Sequence, residues 1–144
     1  MLSSLSSNHI LINAGISWLS AQVLKAIIYA IANRTLDLSR LLGDGGMPSS
    51  HSATVTAMAT TAALECGLDS PIFAVAALFA IVVMHDAMGV RREAGKHAKM
   101  LNELTEAMTG ELTPEQSLKE FLGHTPSQVV VGAALGIIIS LLLA

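Results

Sequence analysis

The chain has 144 residues, of which 52% are apolar, 13% charged and 3% aromatic, and its formal net charge is -3. A soluble globular domain carries about 25% charged residues. This composition, with a mean hydropathy of +0.60, therefore predicts a membrane protein and argues against intrinsic disorder and a disulfide scaffold. The acidic balance and the few aromatic residues also argue against nucleic-acid binding.

Four stretches of low charge predict membrane-spanning helices. Residues 10–33 are interrupted only by Lys25 and are long enough for one tilted crossing, which needs about 20 apolar residues. Residues 52–64 and 70–84 are shorter, and we expect both to be buried among the others, where Ala, Thr and Ser allow close approach. Residues 125–144 carry no charge. The predicted fold is all-α, a polytopic membrane helix bundle with about four transmembrane helices.

The basic residues predict the topology. Residues 89–124 carry five of the eight Lys and Arg residues, and the connection over residues 33–51 adds two, whereas the turn over residues 65–70 carries none. The positive-inside rule therefore places both basic loops in the cytoplasm and both termini on the other side of the membrane.

The long basic loop and the N-terminus each allow one further prediction. Residues 101–108 and 113–122 have helical patterns and predict short interfacial helices. A secretory signal is the alternative for the N-terminus, but a basic n-region and a clear cleavage site are missing. Because no internal repeat or low-complexity tract divides the chain, residues 1–144 are interpreted as one membrane-embedded domain.

The strongest motif is GGMPSSHSA, residues 45–53, at the start of the second predicted span. Its glycines allow unusual backbone angles, Pro48 suits a helix start, and Ser49 and Ser50 can cap the helix. A helix N-terminus with free amides and hydroxyls binds anions, and His51 beside it can donate a proton to a leaving oxygen. An ordinary Ser-capped helix with an interfacial histidine is the alternative, and the spacing leaves both open.

A second motif, HTPSQVVVGAALG over residues 124–136, opens the last predicted span in the same way. A Thr-Pro pair starts the helix, so His124 lies just before its first turn, and Gln128 is placed to hydrogen-bond back to the imidazole. Gly132 and Gly136 form a small-residue face suited to tight helix packing. A solvated loop histidine is the alternative for His124.

The third motif, residues 85–103, follows the third predicted span. Arg91 and Arg92 offer guanidinium groups suited to phosphate oxygens, although ordinary flanking charge is the alternative for either. Asp86 lies at the membrane boundary, where a carboxylate needs a cationic partner, and the two arginines and Lys25 are the candidates. Lys25 itself either extends to the surface or reaches a bound anion.

Topology brings all three motifs to one membrane face. Two histidines, two helix N-termini and an arginine pair meet the needs of phosphoryl transfer, which are a nucleophile, a proton donor and charge stabilisation. A metal site is the competing hypothesis, but no HxH, HExxH or DxD spacing is present, so neither a metal nor another cofactor is expected. The ligands of such a metal site would come from His51, His85, Asp86, His97 and His124.

These motifs together resemble the divergent branch of the type 2 phosphatidic acid phosphatase superfamily, which is related to the vanadium haloperoxidases. PSSH at residues 48–51 resembles the family motif PSGH and implies that His51 is the general acid. The His124 motif resembles the end of the third family motif, which implies that His124 is the nucleophile and forms a phosphohistidine. By the same resemblance Arg91 or Arg92 is the arginine of that motif, and Lys25 is the lysine of the first.

The chain departs from the family pattern at three places. No Arg-Pro pair follows Lys25, Gln128 replaces the aspartate that follows the nucleophile, and a long loop separates the arginine pair from His124. An alternative alignment makes His97 the nucleophile and puts Leu101 at the aspartate position. His124 matches at more positions.

The resemblance implies an integral membrane phosphatase that hydrolyses a lipid phosphate or diphosphate within the bilayer. The alternative is a catalytically weak or inactive lipid-binding or assembly protein that retains the anion site, which Gln128 would permit. The headgroup and the oligomeric state, homo-oligomers included, are left open. The expected catalytic residues are His124, His51, Arg91 and Gln128, and the expected substrate-binding residues are Lys25, Ser49, Ser50 and Arg92.

Overall fold

The computed structural model describes residues 6–35, 46–110, 113, 117, 118, 120 and 122–144. Its elements are all helical, and no strand occurs among the described residues. The prediction of an all-α membrane helix bundle is therefore confirmed. The helices are α1 (His9–Asn33), α2 (Ser50–Cys66), α3 (Pro71–Met88), α4 (Val90–Thr109) and α5 (Pro126–Leu143).

Three helical stretches within the described residues are long and apolar enough to cross a membrane. They are α1, the continuous stretch Pro71–Thr109 that contains α3 and α4, and α5. Helix α2 has 17 residues, too few for an ideal crossing of about 20 residues. The described bundle thus has three stretches long enough to cross a membrane and one shorter helix, α2.

Helix α2 lies at the centre of the bundle, where it packs against α1, α3 and α5. The prediction that this short helix is buried is confirmed. Its buried residues are almost all small: Ser50, Ser52, Ala53, Val55, Thr56, Ala57, Thr61 and Ala62. Small side chains let neighbouring backbones approach, which is the main source of helix association where lipid replaces water.

Helix α3 corrects the matching prediction for the third span. We expected a short, buried helix, but its buried residues are only Ala76, Ala80 and Ala87. Its outer side exposes large apolar residues such as Val75 and Leu78, which are 69% and 65% exposed. Exposed apolar surface of this kind suits lipid, so α3 is an outer wall of the bundle.

The predicted interfacial helices have different outcomes. Residues 101–108 belong to α4, whose exposed residues include Leu101, Leu104 and Met108. Residues 113–122 lie mostly outside the described residues, and those that are described there are not helical.

The helix ends show where the bundle places its polar groups. Ser49 caps α2, and Thr125 caps α5 with a capping box formed with Gln128. At the opposite end of α2, Glu65 contacts His9 at the start of α1. The N-terminal ends of α2 and α5 therefore share one end of the bundle, while His9 and Glu65 mark the other.

Candidate functional site

The starts of α2 and α5 and the end of α3 meet at one end of the bundle. The backbone N–H of Ser49 donates to the carbonyl oxygen of Gln128 at 3.1 Å, which joins the starts of α2 and α5. The backbone N–H of His124 donates to the carbonyl oxygen of Ala87 at 2.9 Å. Because α3 ends at Met88, that carbonyl belongs to the last turn, where intrahelical donors run out.

The two histidines of the predicted site are neighbours. The ring centroids of His51 and His124 are 6.2 Å apart, with an angle of 61° between the ring planes. His124 is only 3% exposed, whereas His51 in the first turn of α2 is half-buried. Two residues 73 positions apart in sequence are thus brought to one place.

Hydrogen bonds at the start of α5 determine which nitrogen of His124 carries the proton. The backbone N–H of Thr125 donates to Oε1 of Gln128 at 3.0 Å, so the atom facing it is the amide oxygen, an acceptor. The same oxygen lies 3.2 Å from Nδ1 of His124. Nδ1 must therefore be the donor, and in the neutral ring Nε2 carries the lone pair. Gln128 thereby selects the tautomer that a nucleophile attacking through Nε2 requires.

The surroundings of His124 also favour its neutral form. Burial lowers the pKa of its imidazole, and the positive charges of Lys25 and His51 lower it further. Hydrogen bonds to Gln128 and to the backbone of Gly46 act in the opposite direction but do not reverse the shift. At neutral pH the ring is therefore uncharged.

A cleft of about 450 Å³ opens beside His124. One wall is α4, which contributes three cationic side chains, and the other is the segment that leads into α5. The residues that line it are Gly46, Arg92, Gly95, Lys96, Lys99, Glu120, Leu122, Gly123, His124, Thr125 and Gln128.

Arg91 and Arg92 have different surroundings. Arg92 lines the cleft. Nε of Arg91 instead lies 3.0 Å from Oδ2 of Asp86, so Arg91 supplies the partner that the boundary carboxylate was expected to need. Of the two arginines, Arg92 is the one placed to contact an anion beside His124.

The folded chain closes the sequence gap between the arginine pair and His124. Gly123 has a φ of +82°, and a Cβ atom there would lie only 2.7 Å from the Cα of Arg92. The residue before His124 is therefore packed directly on the backbone of Arg92. The long loop that separates Arg92 from His124 in the sequence, unlike in the family pattern, does not separate them in the folded chain.

Lys25 lies near the site and is not extended into solvent. Its side chain is 5% exposed, and its stem packs against Gly46, where a Cβ atom would lie 3.4 Å from Cγ of the lysine. Since its charge acts on His124, Lys25 is close enough to influence an anion held there.

The two serines of the first motif lie deeper than the cleft wall. Ser49 is fully buried, and its hydroxyl caps α2 by accepting from the backbone N–H of Ser52. Ser50 is 4% exposed. Their predicted role as anion ligands stays a prediction, and the cap explains why Ser49 is placed as it is.

Several site residues escaped the sequence analysis. Lys96 and Lys99 line the cleft, and Asn102 is buried behind it. Arg92, Lys96, Lys99 and Asn102 are spaced by four, three and three residues, so they share one face of a helix. This spacing would have predicted, from the sequence alone, that the four side chains lie on the same side of α4.

His97, the alternative nucleophile, is exposed on α4, and the cleft is lined by His124 instead. Among the described residues no three His, Cys, Asp or Glu side chains come close enough together to hold a metal ion.

The small-residue face of α5 fixes its position against α2, as predicted. A Cβ atom at Gly132 would lie 3.1 Å from Cβ of Ser49 and closer still to its carbonyl oxygen. Gly136 is packed in the same way on Ala53 and Thr56. Glycine at these two positions therefore sets the distance between the helices that carry the histidines.

Comparison with known proteins agrees with this architecture. The model of the Divergent PAP2 family matches residues 6–139. An uncharacterized membrane protein, YuiD of Bacillus subtilis (strain 168), is 48% identical over 136 residues, an alignment that covers 86% of each chain. No solved structure matches the chain. The chain belongs to the Divergent PAP2 family and is a PAP2-like membrane protein.

Proposed function

We propose that this protein is an integral membrane phosphatase that removes a phosphate from a lipid phosphate or diphosphate through a phosphohistidine at His124. The observation that carries the proposal is the arrangement of His124. It is neutral, oriented by Gln128 and adjacent to His51, and it lies on a cleft with Arg92.

In the first step Nε2 of His124 attacks phosphorus and forms an N–P bond while the bond from phosphorus to the leaving oxygen breaks. His51, protonated at the start, donates its proton to that oxygen. The proton on Nδ1 of His124 stays with the ring and is held by Oε1 of Gln128.

In the second step water attacks the phosphohistidine. His51, now neutral, takes a proton from the water as its oxygen bonds to phosphorus, and the N–P bond breaks. Inorganic phosphate leaves, and both histidines return to their starting states.

Fixed positive charge stabilises the phosphoryl oxygens in both steps. Arg92 can form two parallel hydrogen bonds with phosphate oxygens, and buried Lys25 adds a charge that little water screens. The N-terminal end of α2, which carries His51, contributes the positive end of the helix dipole.

The position of the site suits a lipid substrate. It lies at the end of a bundle whose outer surfaces on α1, α3 and α5 are apolar, so a lipid chain can remain in the bilayer while its phosphate enters the cleft. The basic loops nearby predict that this end faces the cytoplasm.

A second candidate function is lipid binding without turnover. Gln128 stands where the family pattern has an aspartate, and an amide does not stabilise a positively charged ring as a carboxylate does. The anion site would be kept while catalysis is weak.

Phosphate release separates the two functions. The purified protein would be assayed in detergent micelles with phosphatidic acid, phosphatidylglycerophosphate and a prenyl diphosphate, with a chelator present. We expect turnover of at least one lipid, its loss in His124→Ala, and full activity in His85→Ala, a control at an exposed histidine of α3.

Two outcomes would contradict the proposal. Lipid binding without turnover of any of the three lipids would favour the second function. Activity that survives in His124→Ala but is lost in His97→Ala would move the nucleophile to α4.

A further inference from the structure

Asn102 lies outside the cleft, yet its side chain is 3% exposed and makes several hydrogen bonds. Nδ2 donates to the carbonyl oxygen of Leu118 at 2.9 Å and to Oε1 of Glu120 at 2.8 Å. Oδ1 accepts from the backbone N–H of Leu118 at 2.9 Å. Nearly the whole hydrogen-bonding capacity of this amide is directed at the segment that precedes His124.

Two glycines show that the same segment lies directly on α4. A Cβ atom at Gly95 would lie 3.1 Å from the backbone nitrogen of Leu122 and closer still to the carbonyl oxygen of Glu120. Gly123 is packed on the backbone of Arg92. The contacts pair position 102 with 118, 95 with 122 and 92 with 123, so the described residues from 118 to 123 follow one another antiparallel to α4 and lead to His124.

Helix α4 has little other contact with the bundle. It contacts α3, which precedes it in the chain, whereas α5 packs against α1, α2 and α3. Among the described helices, the link between α4 and the start of α5 therefore runs through this segment. Contacts that hold the segment on α4 therefore also help to hold His124 at the end of α3, where its backbone N–H donates to the carbonyl oxygen of Ala87.

We propose that Asn102 is a positioning residue, which holds the nucleophile segment on α4 and thereby keeps His124 buried, oriented and beside Arg92. This inference rests on the proposed function for its effect on catalysis, but the placement of His124 is measurable without turnover.

The first test follows the burial of His124 directly. Protein labelled with ¹³C-histidine in detergent micelles would be titrated by NMR, with His124→Ala used to assign the resonance. Burial lowers the pKa of His124, so its release into solvent in Asn102→Ala should raise that pKa toward the ordinary value of about 6.5. The charged or titratable groups around it are Lys25 on α1, His51 on α2, Arg92, Lys96 and Lys99 on α4, and Glu120 before α5, and none of them is substituted in this variant.

Matched variants separate positioning from general damage to α4. Thr105→Ala removes a hydroxyl that donates only to the carbonyl oxygen of Leu101 in its own helix, and the pKa of His124 should not move. Gly95→Ala pushes the segment off α4 without touching Asn102 and should move the pKa in the same direction. Asn102→Asp keeps the acceptor for Leu118 but faces Glu120 with a like charge, so we expect it to behave like Asn102→Ala.

Activity supplies the second measurement. Misplacement of a reacting group by about 1 Å costs on the order of 100-fold in rate. We expect Asn102→Ala to lower kcat by 10- to 100-fold, with little change in KM, and to move the acid limb of the pH profile upward.

The outcomes distinguish this inference from the proposed function. An unchanged pKa of His124 in both Asn102→Ala and Gly95→Ala overturns the positioning role, whatever the activity. A raised pKa in a protein without any turnover supports the positioning role and contradicts the phosphatase.

Discussion

The two histidines of the site are held in different ways. His51 belongs to the first turn of α2, the central helix, and its position follows from a local cap at Ser49 and from tight packing against α5. His124 lies just before α5, where residues 122–125 are not helical, and its position depends on contacts with Ala87 and Gln128 and on the packing of Gly123 against Arg92. His51 is thus held by the helix bundle. His124 is held by the residues that lead into α5, of which 117, 118, 120 and 122–125 are described; we call them the returning segment.

This difference indicates which substitutions should affect the stability of the fold and which should affect activity alone. Helix caps and close glycine contacts are formed among neighbours of the central helix, so damage there affects the fold as a whole. Contacts of the returning segment can open locally while the bundle persists. Mutations in the two regions should therefore separate into those that lower stability and those that lower activity alone.

The largest effect is expected at Gly132, in the bundle. A Cβ atom there would collide with the backbone and side chain of Ser49, so Gly132→Ala should push α5 from α2 and both destabilise the protein and abolish activity. Overpacking of this kind costs about 1–3 kcal/mol or more. Gly15→Ala is the matched control, because nothing lies within 4 Å of a Cβ at that position in α1.

Thermal unfolding in detergent, followed by circular dichroism, measures this prediction. The melting temperature should fall in Gly132→Ala and stay the same or rise slightly in Gly15→Ala, because alanine favours a helix more than glycine does. Equal melting temperatures in the two variants would mean that the helices tolerate a wider spacing than the structure indicates.

The next effect concerns the proton donor. His51→Ala removes the group that protonates the leaving oxygen, so hydrolysis of a lipid monoester should fall by about 100- to 10,000-fold. An aryl phosphate needs little protonation because its leaving group is already a weak base, and its hydrolysis should fall far less. The measurement is the ratio of kcat/KM for the two substrates, and an equal loss on both would contradict the role of His51.

The same contrast explains how much the sequence could predict. Pro48, Ser49, Thr125 and the glycines of α5 are local signals, and the caps and the close packing that they predicted are present. The burial of α3 was predicted wrongly because an uncharged stretch suits lipid and helix neighbours equally well. In a membrane, hydropathy does not tell the inside of a bundle from its outside.

The missed part of the site depends on pairings across the long loop. Asn102 and Leu118 are 16 positions apart, and the helical spacing that groups Asn102 with the cationic residues of α4 does not identify Leu118 as its partner. Lys96 and Lys99 were counted only among the basic residues of the long loop, although they share a helical face with Arg92. The separation of the arginine pair from His124 looked like a departure from the family pattern, and only the three-dimensional path of the segment removes it.

A smaller effect is expected at Gly123, in the returning segment. Gly123→Ala places a Cβ against the backbone of Arg92, whereas Gly110→Ala has the same kind of strain, with a φ of +76°, but nothing within 4 Å. The backbone penalty is therefore matched, and only the contact differs. We expect Gly123→Ala to lose activity about 10-fold or more through misplacement of His124, with a melting temperature equal to that of Gly110→Ala. A shared loss of activity in both variants would assign it to backbone strain alone.

The smallest effect is a shift of pH dependence at Lys25. The positive charge of Lys25 lowers the pKa of His124, and the nucleophile must be neutral to attack. In Lys25→Gln the pKa of His124 should rise, so the acid limb of kcat/KM should move to higher pH, and the loss of activity should be greater at pH 6 than at pH 8. Arg34→Asn removes the same charge at an exposed position just after α1 and should leave the limb in place. A loss that is the same at every pH would limit Lys25 to substrate binding, while a downward shift would contradict the electrostatic link between the bundle and the returning segment.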